Sequence, residues 1–119
     1  DAQGATILPG LVDAHLHIAG LGALTRELDL TKTTASAQVV DAVRNAASQR
    51  PQGSWIRGRG WDQTRWAGQA WPTATMLDEV APEHPVVLSR VDGHAVWANT
   101  AAMRLAGIDR NTKDPAGGE

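Results

Sequence analysis

The chain has 119 residues, a formal net charge of -2 at pH 7, 42% hydrophobic residues and 20% charged residues. These values fit one modest folded domain and exclude a disordered chain, and they give no charge-driven pull toward nucleic acid or an anionic membrane. Cysteine is absent, which excludes disulfides and thiolate metal sites, and no apolar run approaches the ~20 residues of a membrane span.

Residues 1–9 read as a turn at Gly4 followed by the end of a strand, with Ile7 and Leu8 to bury. Pro9-Gly10 breaks the chain there. From Leu11 to Ile18 the residues alternate with period two, which predicts a strand. Val12, Ala14, Leu16 and Ile18 fall on one face, and Asp13, His15 and His17 on the other. A His-x-His pair on a strand face converges on one point, and neutral imidazole is the commonest metal ligand. Asp13 either orients one of these histidines by accepting its second N–H or is simply a polar residue at the strand's start. The following IAGLG run predicts a flexible loop.

Residues 36–50 carry the clearest helical spacing, in Val39, Val40, Val43, Ala46 and Ala47, with Thr34 or Ser36 as N-cap and Pro51 beyond the end. SWIRGRG predicts a short strand with Trp55, Arg57 and Arg59 on one face and Ile56 on the other. Five Trp stand against no Phe or Tyr. Four of them, at 55, 61, 66 and 71, crowd one segment, whose stretch 61–72 reads as a loop. Trp55 is assigned to the core. Trp61 and Asp62, surrounded by arginines, are assigned to contact with a ligand.

Thr73 caps a short helix bearing Met76, Leu77 and Val80. His84, in PEHP, reads as a solvated loop residue. Residues 86–91 predict a second strand ending at Asp92-Gly93-His94, where Asp92 caps the turn. His94 either faces a pocket, as functional groups after α/β strands do, or holds its loop to the backbone. Asn99 caps a last helix, with Gly107 at its C′ position and Ile108 folded back. The tail is polar, and no internal repeat is visible. Strand and helix alternate, which predicts an α/β class.

LPGLVDAHLH, RGRGWDQTRW and WPTATMLDEVAPEHPVVLSRVDGHAVWANTAAMRLAGI together resemble the amidohydrolase superfamily of metal-dependent hydrolases. The likeness is to its amidohydrolase-3 branch, which includes N-substituted formamide deformylase-like proteins, and it runs over nearly the whole chain. The resemblance implies a (β/α)8 barrel with a small β-sandwich beside it. Residues 1–9 would end the sandwich segment, and residues 10–119 would be the first part of the barrel with a Trp-rich insertion. It implies His15 and His17 as ligands of a divalent metal, with zinc expected, and hydrolysis of an amide or cyclic amide C–N bond by metal-activated water. It also places His94 near the substrate pocket, where Trp61 and Asp62 are the expected ligand contacts from the Trp/Arg segment itself.

A barrel of this kind takes about 250 residues, so the chain is expected to be the N-terminal part of such an enzyme, with further ligands and the general base beyond Glu119. In isolation it is expected to be inactive and, with open strand edges, prone to self-association. A small amide-type molecule is the expected partner; nucleic acid and membrane are not. No signal peptide is visible, and the cytoplasm is the favoured location. The rival reading is a non-catalytic module that binds a carbohydrate-type ligand through the Trp/Arg segment.

Overall fold

The structure, a computed structural model, describes residues 3–118. The first two residues of the expected sandwich segment therefore lie outside the described residues. The order of elements is α1 (Ile18–Leu24), β1 (Leu28–Asp29), α2 (Ser36–Gln49), β2 (Ile56–Trp61), a 3-10 turn (Gln63–Arg65), α3 (Ala74–Asp78), β3 (Val86–Arg90), β4 (Val96–Ala98) and α4 (Thr100–Leu105). The chain is thus of the α/β class, as alternation of the elements predicts. Among the described residues no helix is long and apolar enough to cross a membrane.

One sheet with strand order β1-β2-β3-β4 organises the molecule. β1, β2 and β3 run parallel, and β4 returns antiparallel against β3. The return has no counterpart among the elements that the sequence predicts. It is made at Asp92-Gly93, where Gly93 N–H donates to Arg90 O and Arg90 N–H donates to Ala95 O.

Register sorts the side chains. Leu28, Gly58, Leu88 and Trp97 form one cross-strand row, and Ile56 pairs with Val86 in the next row on the same face. These residues are buried or half-buried against Val39, Val43 and Ala46 of α2 and Leu77 of α3, in a single core. The opposite face carries Asp29, Arg59, Ser89 and Val96 in one row and Arg57, Val87 and Ala98 in another, and none of these residues is fully buried.

Helix α2 forms because Val39, Val43 and Ala46 recur at helical spacing and bury one stripe. Its N-cap is Ala35 rather than Thr34 or Ser36, and the Gln38 side chain accepts from the Thr34 N–H at 2.7 Å in place of a capping hydroxyl. Pro51 disfavours helical backbone at Arg50, and the helix stops there. At α4, Asn99 is the N-cap, its Oδ1 accepting from Ala102 N–H at 3.0 Å. Ile108 N–H reaches Met103 O and Gly107 N–H reaches Arg104 O, closing the helix as the Gly107 C′ position predicts.

Four local expectations are corrected. Residues 5–9 form no strand, and Ile7 and Leu8 stand exposed rather than buried. Residues 11–17 form no strand; they have no regular structure, and Leu11, Val12 and Leu16 stand exposed. Alternation favours a strand only where a neighbour supplies ladder hydrogen bonds, and none pairs with this segment in the described residues. The IAGLG run is not a loop but the start of α1, with His17 at its N-cap. His84 is 7% exposed rather than solvated, with its Nδ1 3.0 Å from Ser54 O.

Candidate functional site

His15 and His17 sit in the segment leading into α1, both exposed. Although the backbone is not a strand, the two rings meet, with Nε2 to Nε2 at 2.9 Å and centroids 4.9 Å apart. Two nitrogens at that distance share one proton as donor and acceptor. With both rings in the Nδ1–H tautomer, two lone pairs face one point. Tetrahedral zinc with Zn–N near 2.0–2.1 Å holds adjacent nitrogens about 3.3 Å apart, so a small opening of the pair fits them as two of its ligands. Among the described residues no group of three or more His, Cys, Asp or Glu side chains is poised to complete a metal site. Asp13 Oδ1 accepts from the His15 backbone N–H at 3.0 Å, so its carboxylate shapes the turn rather than a ring.

A second cluster lies where β2 and β3 end. Arg90 extends its guanidinium between three partners: Nε donates to Gln63 Oε1 at 2.8 Å, one terminal nitrogen to Asp62 Oδ1 at 3.2 Å, and the other to Asp92. The same guanidinium lies 5.7 Å from the centroid of the Trp71 ring. Asp62 also accepts from the Thr64 hydroxyl and backbone N–H, at 2.7 and 3.1 Å. The Thr64 hydroxyl, then its amide and the nearby Arg90 and Arg65 charges, hold the Asp62 carboxyl below the usual carboxylate range. Asp92 is lowered too, chiefly by the His94 backbone N–H, and by Arg90. His94 itself is exposed on the β3–β4 turn. Arg90 and Gln63 carried no signal in the sequence, because their role depends on contacts 27 or 28 residues distant along the chain.

The structure places Trp55 and Trp61 opposite to their assignments. Trp61 is 1% exposed and Trp55 is 42% exposed. Trp61 donates its ring N–H to Leu88 O at 2.8 Å and touches Trp66, Trp71 and Trp97 at centroid distances of 5.9, 6.0 and 6.1 Å. The reason is a bulge. Pairing of β2 with β3 shifts register between Arg59 and Trp61, at Gly60 with φ +96°. The extra residue moves Trp61 from the Arg57 and Arg59 face to the core face. The platform needed by a carbohydrate-binding module is correspondingly reduced, since Trp61, Trp66 and Trp97 are all buried. The two histidines and the Asp62–Arg90–Asp92 cluster share no hydrogen bond or ion pair among the described residues.

Residues 1–119 match the amidohydrolase-3 model of the amidohydrolase family. The chain is 39% identical to YtcJ of Bacillus subtilis (strain 168), over 98% of this chain and 22% of that protein. It is 34% identical to the N-substituted formamide deformylase of Arthrobacter pascens, over 100% of this chain and 22% of that enzyme. Among solved structures, an uncharacterized metal-dependent hydrolase from Pyrococcus furiosus superimposes with a TM-score of 0.64 at 27% identity, covering 89% of this chain and 21% of its own. In fold the chain is thus similar to proteins described as metal-dependent hydrolases. The chain belongs to the amidohydrolase family and spans about a fifth of the length of the relatives it matches.

Proposed function

We propose that the whole protein hydrolyses a C–N bond of a small amide-type substrate with the help of a divalent cation, zinc being the expected one, and that His15 and His17 supply two of its ligands. The observation that carries this reading is the 2.9 Å approach of the two Nε2 atoms in a family of hydrolases. The N-substituted formamide deformylase among the relatives supports an amide-type bond. The cation, when bound, supplies water activation near neutral pH and polarisation of the acyl oxygen.

The residues of this chain then divide the work. The two neutral imidazoles hold the cation. Asp62 and His94, at the ends of β2 and β3, face the substrate where α/β folds assemble their sites. Trp61 backs Asp62 from below rather than touching the ligand. In the whole protein a (β/α)8 barrel with an adjoining β-sandwich is the architecture that gives Leu11 and Val12 a cover, since both stand exposed here. Further ligands and the general base come from other segments, and this chain by itself is inactive.

The test is metal content and turnover of the whole protein. Dialysed wild type is expected to retain zinc and to release formate from an N-substituted formamide. The double substitution His15→Ala, His17→Ala is expected to lose both. Undiminished zinc in the double variant overturns the reading.

A further inference from the structure

Arg59 lies on the face of β2 that the helices leave open, half-buried, in a row between Asp29 of β1 and Ser89 of β3. Among the described residues the buried side-chain polar atoms without a partner are Ser54 Oγ and Trp66 Nε1, so the Arg59 guanidinium stays open to solvent and to a ligand, whereas other arginines of the sheet region are engaged within the fold. Arg90 holds Asp62, Asp92 and Gln63, Arg65 donates to Thr31 O, Arg50 donates to Trp55 O, and Arg57 lies 5.8 Å over the Trp55 ring. Arg59 has no hydrogen bond or ion pair for its guanidinium among the described residues. The neighbouring carboxylate is turned to its own loop, Asp29 Oδ1 accepting from the Thr31 N–H at 3.0 Å and the Thr31 hydroxyl at 2.6 Å, and it makes no ion pair with Arg59.

The place of this free charge is informative. Arg59 and His17 line one open cavity of about 600 Å³, together with Leu16 and the first turn of α1. The cavity thus brings a permanently cationic, bidentate donor to one of the paired imidazoles, with apolar wall between them. Guanidinium matches the planar geometry of carboxylate and phosphate, and it keeps its charge at any physiological pH.

We infer that Arg59 is the specificity-determining residue of this site, binding an oxyanion group, carboxylate or phosphate, on the substrate whose reacting bond lies at His15 and His17. The inference rests on the proposed role of the two histidines and adds the substrate class: an anionic amide rather than a neutral one. The positive charge on Arg59, unpaired among the described residues, is the one the ligand completes.

The test uses the whole protein stripped of metal with a chelator, so that binding is read apart from catalysis. Calorimetry compares N-formylglycine, which carries a carboxylate, with the uncharged N-formylglycinamide. Wild type is expected to prefer N-formylglycine. Arg59→Ala is expected to weaken N-formylglycine by about tenfold or more and leave N-formylglycinamide unchanged, with Arg59→Lys intermediate. Competition by inorganic phosphate in wild type but not in Arg59→Ala shows that the site takes either oxyanion; no competition narrows it to carboxylate. Should Arg59→Ala fail to fold, the wild-type preference and Arg59→Lys still decide. Absence of that preference, or an equal loss for both ligands, overturns the inference. Selective binding without cleavage by the zinc-loaded protein would instead remove the hydrolase reading and leave Arg59 standing. Cleavage of both compounds, indifferent to Arg59, would do the reverse.

Discussion

Gly60 lies so close to Thr31 that a Cβ placed on it would sit 2.5 Å from the Thr31 Cγ2 atom and 3.1 Å from its backbone nitrogen. The same residue has φ +96°, where L side chains are strained. Both constraints act at the bulge that turns Trp61 inward. Gly60→Ala is therefore expected to cost about 2–4 kcal/mol, part steric and part backbone strain. Denaturant unfolding measures it. Adding Thr31→Ser removes the nearest methyl while keeping the hydroxyl, and should recover the part of the cost due to that methyl, the tight contact with the Thr31 backbone remaining. Full recovery would mean that the backbone strain contributes nothing.

The bulge also fixes which tryptophans meet solvent. Trp55 keeps the parity of Arg57 and Arg59, whereas Trp61 loses it. Acrylamide should accordingly quench two classes of fluorescence, an accessible one from Trp55 and Trp71 and a protected one from Trp61, Trp66 and Trp97. The double replacement Trp55→Phe, Trp71→Phe should abolish the accessible class. A quenchable fraction that survives both replacements would place one of the other three rings at the surface.

These tryptophans show where the sequence is legible and where it is not. β2, α2, β3 and α4 can be read from their residues because local period and capping chemistry define them. The inward turn of Trp61 cannot, since one glycine with positive φ resets the alternation and glycine alone does not announce its φ. The His-x-His segment fails in the opposite sense. Its alternation is sound, but a strand needs a partner, and the described chain provides none. The convergence of the two rings survives without it. His84 looked solvated between Glu83 and Pro85; its burial depends on Ser54, 30 residues away.

Asp62 links stability to pH. Its carboxyl is lowered first by the Thr64 hydroxyl, so the folded form binds its proton less readily than the unfolded chain does. The resulting stabilisation is complete above about pH 4, the ordinary carboxylate value, and is lost as the pH falls through the lower folded value. Thr64→Val removes the leading donor. Thermal melts should show the variant below wild type at neutral pH, with the gap closing as the pH falls below about 4. A gap independent of pH would assign the effect to packing instead.

Asn99 carries more than a helix cap. It is 0% exposed, and its side chain makes four hydrogen bonds that join three elements. Oδ1 accepts from Val86 N–H at 2.9 Å and from Ala102 N–H, while Nδ2 donates to His84 O at 2.8 Å and Ala81 O at 3.2 Å. The amide thereby ties the start of β3 to the loop after α3 and to the first turn of α4. Asn99→Ala leaves these buried groups unpaired and removes the cap, an expected loss of about 3–5 kcal/mol. Asn99→Asp keeps the two acceptor bonds but turns a carboxylate oxygen toward two carbonyls. It should therefore be destabilised at neutral pH and partly restored near pH 3, where a protonated carboxyl donates again. Urea unfolding at the two pH values, each referred to wild type at the same pH, distinguishes this from simple cap loss, which predicts that Asn99→Asp is as stable as wild type at neutral pH.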